Sequence, residues 1–273
     1  MFTDANLRKD HKSRLEAFDF LEELKNQKIS RSDIITKIHS KFGVPIGTIY
    51  DWYNGRLPYG RKSRLKHLPE LFYVLGALLG DGCLYKWRLT NHYVILVGDE
   101  RFATKYADML SLCVDKKVKA YLDRSKNIWF VRINDFKLYS LFEKIRQEPT
   151  RLFHLLKHKD LQDSHLFIEG FFDAEGCVKI IKEKSRRTPK ICLDITNTNL
   201  KLLDLIKELI EEQLNILARY SIQKEAISRN RKTAYHLRIY KKADIKQFLD
   251  HIKTTKLKKE KILYVKNWLN NGK

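Results

Sequence analysis

A short apolar stretch that ends in an acid and a glycine occurs twice in this chain. The first copy covers residues 71–82 and ends in Gly80-Asp81-Gly82, and the second covers 166–176 and ends in Ala174-Glu175-Gly176. Both stretches predict buried helices, because most side chains before the terminal acid are apolar or small. The two acids lie 94 residues apart. One such helix is a common structural object, but the second copy indicates an internal duplication of roughly a hundred residues.

The segments that follow the two helices have the same order, which predicts a duplicated α+β fold with the element order αββαββα. In the first copy two predicted strands lie within 83–97 and are followed by a helix, 100–113. Two further strands, 117–123 and 127–134, and a helix, 135–146, complete the copy. In the second copy two predicted strands lie within 177–196 and are followed by a helix, 199–213. Two further strands, 216–225 and 232–240, and a helix, 242–252, complete the copy. The chain then divides into an N-terminal part, 1–66, a first repeat, 67–150, and a second repeat with a C-terminal helix, 151–273.

Small residues spaced four apart clear one face of each repeated helix, so that the two helices can approach backbone to backbone. These residues are Gly76, Gly80, Gly170 and Ala174. Each terminal acid then lies at a helix C-terminus, where carbonyl oxygens and the helix dipole favour a cation. Close packing would bring Asp81 and Glu175 together, and two carboxylates beside carbonyls suit Mg²⁺. Such ions activate water and stabilise the leaving oxygen in phosphodiester hydrolysis.

The charge of the chain points to a polyanionic partner. Its 273 residues include 54 Lys+Arg and 33 Asp+Glu, a net charge of +21, and the excess is largest in 151–273. Nucleic acid is the usual partner of such a domain, and the alternative is a cationic surface without a specific partner. With 43% hydrophobic residues the chain is not a disordered basic tail.

The sequence also predicts where the protein is found. No stretch approaches the roughly 18 apolar residues of a membrane span, and the first ten residues lack the pattern of a secretory signal. The four cysteines lie far apart and none has zinc-ligand spacing. They are Cys83, Cys113, Cys177 and Cys192. We therefore expect an intracellular protein, cytoplasmic or nucleoid-associated, with reduced thiols, no membrane partner and no secretion.

The N-terminal part predicts three helices. They cover 11–26, the segment between Ser30 and Gly43, and 48–54. Ser30 is a suitable helix cap and Gly43 a suitable helix stop. A short third helix that packs through Ile49 and Trp52 after a tight break is typical of a helix-turn-helix domain, whose second helix enters the major groove. Its residues predicted to face base edges are Thr48, Asp51 and Asn54. The alternative is a small helical bundle used for packing or protein contacts.

The two repeated segments resemble a known family. Val74–Gly82, VLGALLGDG, and Ile168–Gly176, IEGFFDAEG, are similar to the two motifs of a single-chain LAGLIDADG homing endonuclease. The resemblance extends over residues 69–270. It implies the αββαββα fold twice, arranged as a pseudo-twofold saddle of antiparallel sheets that straddles DNA, beside the all-α N-terminal domain.

The resemblance also implies a catalytic site. Asp81 and Glu175 would each bind Mg²⁺ together with the carbonyls of Gly80 and Ala174, and Mn²⁺ is expected to substitute. Both DNA strands would be cut across the minor groove, leaving short 3′ overhangs. The segment 256–261 resembles the part of the family that supplies a lysine near the scissile phosphate, with Lys258 as the best match. The alternative for Lys258 is an exposed basic helix start.

The predicted hairpins carry clustered basic and polar residues. Because alternate strand residues face opposite sides, one side of each hairpin can contact DNA while the other packs on helices. The candidates in the first repeat are Lys86, Arg88, Asn91, His92, Arg124, Lys126 and Arg132. Those in the second repeat are Lys179, Lys182, Lys184, Arg186, Arg187, Arg229, Arg231, Lys232 and Arg238. For any single residue the alternative is a solvated hairpin charge.

Two hypotheses on function follow. The first is a monomeric, Mg²⁺-dependent, site-specific double-strand DNA endonuclease, intron-encoded or similarly mobile, with a long asymmetric target. The second is a non-cleaving nucleic-acid binder of the same fold, either an RNA maturase with host intron RNA as partner or a transcription regulator. The second is motivated by Asp99, which stands where the family often has lysine, and by the helix-turn-helix module. Asn199 is the corresponding departure in the second copy.

Overall fold

The computed structural model describes most of the chain. The described residues are 4–27, 29–56, 58, 65–87, 91–114, 116–157, 161–181, 189–223, 233–257 and 259–270. The N-terminal helices are α1 (Asp4–Lys25), α2 (Arg31–Phe42) and α3 (Ile46–Tyr53). The next elements are α4 (Glu70–Asp81), β1 (Gly82–Trp87), β2 (Asn91–Gly98), α5 (Glu100–Val114), β3 (Tyr121–Asp123), β4 (Ile128–Asn134) and α6 (Phe136–Gln147). They are followed by α7 (Pro149–Lys157), α8 (Leu161–Glu175), β5 (Gly176–Ile181), β6 (Lys190–Asn197), α9 (Leu200–Leu214), β7 (Arg219–Gln223), β8 (Ala234–Ile239), α10 (Lys242–His251) and α11 (Lys259–Asn270).

The two halves have the same sheet topology. One antiparallel sheet has the strand order β1-β2-β4-β3, and the other has the equivalent order β5-β6-β8-β7. Each sheet directly follows one of the two acid-ended helices, α4 or α8. The α+β class and the duplicated αββαββα order predicted from the sequence are therefore confirmed.

Helices α4 and α8 pack against each other at the centre of the main hydrophobic core. A Cβ atom on Gly76 would overlap the carbonyl oxygen of Phe167, and one on Gly170 would overlap the carbonyl oxygen of Tyr73. The backbones of the two helices are thus in contact, which only glycine permits at these positions. One core joins both halves across this contact.

Helix α7 was not predicted from the sequence. Its first residue is Pro149, a residue suited to the first helical position because that position needs no N–H donor. Leu152, Phe153 and Leu156 are buried on one side of it. This spacing is helical, so the signal was present in the residue pattern. Strand β3 is also shorter than predicted, since it begins at Tyr121 and not at residue 117.

The N-terminal helices form a second, smaller core. Its members are Ala17, Phe18, Leu21, Leu24, Ile34, Ile35, Ile38, Val44, Ile49 and Trp52. The Oγ of Ser30 accepts a hydrogen bond from the N–H of Asp33, and Gly43 ends α2 with φ +66. Helix α3 begins at Ile46, two residues before the predicted start, because Pro45 precedes the helix as its cap and does not interrupt it.

The N-terminal helices rest on the first repeat through α6. The ring of Phe136 packs on this smaller core and lies edge-on to Phe18, with 6.3 Å between ring centroids. The Nζ of Lys144 lies 3.4 Å from a carboxylate oxygen of Asp19. In the described part of the chain, no helix is both long enough and apolar enough to cross a membrane.

Candidate metal centre and nucleic-acid interface

The two terminal acids meet where α4 and α8 end. Asp81 is the last residue of α4 and Glu175 the last of α8. Beside them, a Cβ atom on Gly80 would overlap the side chain of Ala174 and would lie 2.9 Å from the Cγ of Glu175. The close contact of the two helices therefore holds both carboxylates at one point, between the two sheets.

Burial disfavours the ionisation of both carboxylates. Burial is the main cause that raises the pKa of Glu175 to about 7, and the charge of Asp81 raises it further. Burial also raises the pKa of Asp81. Opposing this, the Nδ2 of Asn197 donates a hydrogen bond of 2.9 Å to Glu175 Oε1, and the charge of Lys256 lowers the pKa of both acids. A further cation at this point would relieve the remaining repulsion.

Lys256 is the lysine that the structure brings to the two acids. Its Nζ donates a hydrogen bond of 3.1 Å to the carbonyl oxygen of Ala174, the carbonyl predicted as a metal ligand. Lys258, the residue predicted for this role, lies outside the described residues. The predicted segment, 256–261, thus reaches the two acids through Lys256. The prediction did not single out this residue, because nothing in the residue pattern alone fixes which lysine points inward.

A buried ionic cluster lies just before Glu175. Its members are Lys105 on α5 and the two acids Glu169 and Asp173 on α8, and we call it the lysine–carboxylate cluster. The Nζ of Lys105 lies 2.8 Å from Glu169 Oε1 and 2.8 Å from Asp173 Oδ2. Tyr73 on α4 donates a hydrogen bond of 2.9 Å to the same Asp173 oxygen. The cluster therefore joins the two repeats through polar contacts beside the apolar core.

The lysine–carboxylate cluster also holds the loop that carries Lys256. The hydroxyl of Thr254 and the N–H of Thr255 donate to Asp173 Oδ1 at 2.6 and 2.7 Å. The N–H of Lys253 donates to Glu169 Oε2 at 2.8 Å. Two acids at i and i+4 within the otherwise apolar stretch 166–174 were a visible signal for this cluster, which was not among the predictions.

The donor set at the two acids fits a hard divalent cation. Two carboxylates and helix-terminal carbonyls are all-oxygen ligands, which Mg²⁺ prefers and which usually leave positions for water or phosphate oxygens. The described residues contain no group of three or more histidine, cysteine or acidic side chains that could hold a metal ion, so a metal at the two acids would depend on two carboxylates and backbone carbonyls. Asp81, Glu175 and the carbonyls of Gly80 and Ala174 are therefore the residues here that could hold a metal.

The first sheet places its predicted DNA-contacting residues on both of its sides. Arg132 and Asn91 lie on the side away from the helices, and the guanidinium of Arg132 lies 5.2 Å from the ring centroid of Tyr93. His92 is only 2% exposed and packs against aromatic rings of α6, so the prediction that it contacts DNA is wrong. Lys86 pairs with His92 and lies on the same side. Of the other candidates in the first repeat, Arg124 and Lys126 are exposed in the β3–β4 turn.

The second sheet contains a polar hub on the side away from the helices. Asp194 is fully buried at its centre, and Lys179 and Arg238, both predicted to contact DNA, form ion pairs with it. The Nδ1 of His236 lies 3.1 Å from Asp194 Oδ1 and 2.9 Å from the hydroxyl of Thr196. Asp194 and His236 were not predicted, although an aspartate between apolar strand residues was a signal for them.

The other predicted DNA contacts in the sheets lie outside the described residues. They are Arg88, Lys182, Lys184, Arg186, Arg187, Arg229, Arg231 and Lys232. In sequence they stand between the strands β1 and β2, β5 and β6, and β7 and β8.

The outward face of α3 differs from the one predicted from the sequence. Thr48 is half-buried, whereas Tyr50 is exposed. Asp51 and Asn54 do face outward, but each already binds an arginine: Asp51 Oδ2 lies 2.8 Å from Arg56 Nη1, and Asn54 Oδ1 lies 3.3 Å from Arg31 Nη2. Any ligand of this helix would meet an arginine and tyrosine surface more than the three predicted polar side chains.

Comparison with known proteins agrees with the fold. Residues 164–253 match the family model described as LAGLIDADG-like domain. The crystal structure of I-DmoI in complex with DNA and Ca superposes with a TM-score of 0.50 at 20% sequence identity, covering 72% of this chain and 96% of that chain. The sheet topology and the family match of the second repeat therefore show that this chain has the LAGLIDADG fold. The two motifs predicted this fold.

Two curated relatives come from archaea. An uncharacterized protein, MJ0398, of Methanocaldococcus jannaschii is 27% identical over 252 residues, which are 86% of this chain and 86% of that protein. Elongation factor 2 of Methanopyrus kandleri is 27% identical over 174 residues, which are 60% of this chain and 13% of that protein. The similarity to MJ0398 includes most of this chain, whereas the match to the elongation factor is a short part of a much longer protein.

Proposed function

We propose that this protein is a site-specific endonuclease that hydrolyses both strands of a DNA duplex with Mg²⁺, for which Mn²⁺ can substitute. The observation that carries the proposal is the meeting of Asp81 and Glu175 at the junction of two equivalent sheets. Buried carboxylates with raised pKa values are costly unless a cation or a function requires them. A single pair between two sheets fits a duplex whose two strands pass on either side.

The residues around the pair have distinct roles in this proposal. Asp81 and Glu175, with the carbonyls of Gly80 and Ala174, would hold the metal, which when bound supplies a water-derived nucleophile and neutralises phosphate charge. The amide of Asn197 orients Glu175 through its hydrogen bond. The side chain of Lys256 would release the carbonyl of Ala174 and stabilise negative charge on the reacting phosphate.

The proposed partner is a long, asymmetric DNA duplex bound by one copy of the chain. The net charge of +21 supports it, and both halves that would contact the two half-sites lie in one chain. The structure of I-DmoI was solved with DNA bound in the presence of Ca. The N-terminal helices, seated on α6, would lengthen the contacted segment. A protein that acts on DNA in this way would reside with the nucleoid, and mobility of its reading frame is part of the proposal.

The experiment is selection followed by cleavage. The full chain is incubated with a randomised duplex library, the bound duplexes are sequenced, and the enriched duplex is then exposed to Mg²⁺ or Mn²⁺. We expect a single long enriched sequence, cut on both strands across the minor groove with short 3′ overhangs. The joined sequences that flank the reading frame are tested in parallel, because a mobile frame would interrupt its own target.

A second candidate function is specific binding without cleavage. Two observations favour it: Lys256 already binds the carbonyl of Ala174, and Asp99 and Asn199, at positions where the family often has lysine, serve here as helix caps. Asp99 Oδ1 accepts from the N–H of Phe102 at 3.0 Å. Enrichment of one duplex, or of host intron RNA, that stays intact with every divalent metal would favour this candidate and contradict the endonuclease.

A further inference from the structure

The side of the first sheet that faces away from the helices is aromatic and apolar. Its members are Cys83, Tyr85, Trp87, Tyr93, Ile95, Val97, Tyr121 and Phe130, and we call it the aromatic face. Strand register places them together, because Tyr85 pairs with Tyr93, and Phe130 pairs with both Val97 and Tyr121. Residues directly opposite each other on paired strands lie on one side of a sheet.

The aromatic face is open to solvent. Tyr85 is 45% exposed, Trp87 is 50% exposed and Tyr121 is 52% exposed. The rings of Tyr85 and Tyr93 are stacked at 6.3 Å with 22° between their planes, and those of Tyr121 and Phe130 lie 5.8 Å apart. Contiguous exposed apolar groups of this kind mark a binding surface more often than isolated ones.

Because the two repeats have the same sheet topology, each residue of the aromatic face has an equivalent position in the second sheet. Equivalent register positions in the second sheet hold the polar hub: Tyr85 corresponds to Lys179, Ile95 to Asp194, and Phe130 to His236. The pair Arg132 and Arg238 is the exception, since arginine occurs in both sheets. Two sheets with one architecture therefore present opposite chemistries, apolar in the first repeat and charged in the second, with one arginine retained.

The two amides on the first sheet are already engaged. The Nδ2 of Asn134 donates to Asn91 Oδ1 at 2.9 Å, and Asn134 Oδ1 accepts from the N–H of His92 at 3.2 Å. Among the described residues on this side of the sheet, the groups that can donate hydrogen bonds to bases are therefore few: the guanidinium of Arg132, the tyrosine hydroxyls and the amide nitrogen of Asn91. The remaining side chains on this side are aromatic or apolar, and they can recognise apolar groups on base edges.

We propose that the aromatic face reads one half of the DNA target through the C5-methyl groups of thymine, whereas the polar hub reads the other half through charged hydrogen bonds. This inference rests on the proposed function. Among the major-groove edges of the four bases, thymine alone carries a methyl group, and side chains such as phenylalanine recognise it by apolar contact. The half-sites would thus differ in chemistry as well as in sequence.

The position and charge of the aromatic face favour a duplex over other occupants. Strand β1 begins at Gly82, directly after Asp81, so the face adjoins the candidate metal centre. It also lies on the same side of its sheet as the polar hub does in the second sheet. The guanidinium of Arg132, 5.2 Å from the ring centroid of Tyr93, adds a positive charge beside the apolar surface, which attracts a polyanionic duplex.

The test replaces thymine by uracil, which removes the methyl group and leaves base pairing unchanged. The enriched duplex is synthesised with uracil in one half, in the other half, or in neither, and the Kd of each is measured by fluorescence anisotropy with the full chain in Ca²⁺. We expect uracil to weaken binding by about three- to fivefold per contacted methyl in one half only. Uracil in the other half should leave the Kd unchanged.

Two variants assign the responding half to a sheet. In a Y85S/Y93S double variant the thymine duplex should bind more weakly and the uracil effect should disappear. In K179S, at the equivalent position of the second sheet, binding should also weaken, but the full uracil effect should persist. Circular dichroism confirms that each variant is folded.

The outcomes separate this inference from the proposed function. Specific duplex binding that ignores uracil in both halves would overturn the inference and leave the endonuclease proposal intact. Tighter binding of single-stranded oligothymidylate than of any duplex would also overturn it, as would a dimer in sedimentation that Y85S/Y93S dissociates. If the selection enriches no duplex, the result would contradict the proposed function itself.

Discussion

At the scale of single residues, a few buried charges determine how readily the acids of the candidate site ionise. Burial raises the cost of ionising both Asp81 and Glu175, and the charge of Asp81 raises it further for Glu175, while Lys256 lowers it for both. The lysine–carboxylate cluster lies just before Glu175 on α8 and fixes the loop in which Lys256 lies. Substitutions at these positions should therefore separate the contribution of each charge.

The raised pKa of Glu175 predicts how stability depends on pH. Its pKa is about 7 in the folded protein against an ordinary value of 4.5. Ionised Glu175 therefore destabilises the fold, with no effect below pH 4.5 and the full effect above pH 7. In chelator, E175Q should gain stability over the wild type as pH rises through this window, by about 2–3 kcal/mol at about pH 8.

Urea midpoints across this pH window measure the effect. E148Q, which changes an exposed glutamate, serves as the control and should show no such trend. Added Mg²⁺ should reduce the advantage of E175Q at high pH, because the metal compensates the ionised carboxylates. An advantage that stays constant across the range would refute the electrostatic account of this pair.

Removal of the cluster lysine tests the buried network. K105M leaves two buried carboxylates without their cation, which should cost about 3–5 kcal/mol in the free energy of unfolding. K246M breaks an ion pair of similar length, 2.7 Å, but an exposed one, and should cost less than about 0.5 kcal/mol. Equal losses in the two variants would show that the cluster contributes no more than a surface pair.

At the scale of elements, the contact of α4 with α8 determines the geometry of the site. Backbone atoms of the two helices touch at Gly76 and Gly170, one to two turns before the acids. Sequence spacing was sufficient to predict this contact, because small residues four apart on an apolar helix leave a groove that a second helix can enter.

A methyl group at this contact should therefore be costly. G76A places a Cβ against the carbonyl of Phe167 and should destabilise the protein by at least about 1–3 kcal/mol and reduce metal-dependent activity by separating the acids. G47A is the matched control: the added Cβ on α3 meets nothing within 4 Å, and alanine should stabilise that helix slightly. Thermal denaturation of the two variants decides between close packing and a tolerant interface.

Local and tertiary signals differ in how far the sequence reveals them. The order of elements and the acid positions followed from periodicity and repetition, which are local signals. His92 was misassigned because its burial depends on where α6 packs, and that is a tertiary property. Lys256 and Asp194 were missed for the same reason: which charged side chain turns inward depends on partners that are distant in sequence.

At the scale of the whole molecule, the charge has two separable parts. In the proposed function the net charge of +21 would attract DNA, whereas the two acids at the centre would govern the chemistry. Affinity for the enriched duplex should therefore fall by about 10³-fold or more between roughly 50 and 200 mM salt if six or more phosphates are contacted. The slope of log Kd against log salt should be the same in D81N, and a changed slope would show that the charge of Asp81 affects DNA binding as well as chemistry.

The central claim is that Asp81 and Glu175 together hold the metal that cuts DNA. Single-turnover cleavage of the enriched duplex in Mg²⁺ by the wild type, D81N and E175Q tests it most directly, with D108N on the exposed side of α5 as the control. We predict that each site variant slows strand scission at least about 100-fold, while duplex affinity in Ca²⁺ changes little and D108N cuts like the wild type. Wild-type cleavage rates in both D81N and E175Q would contradict the account.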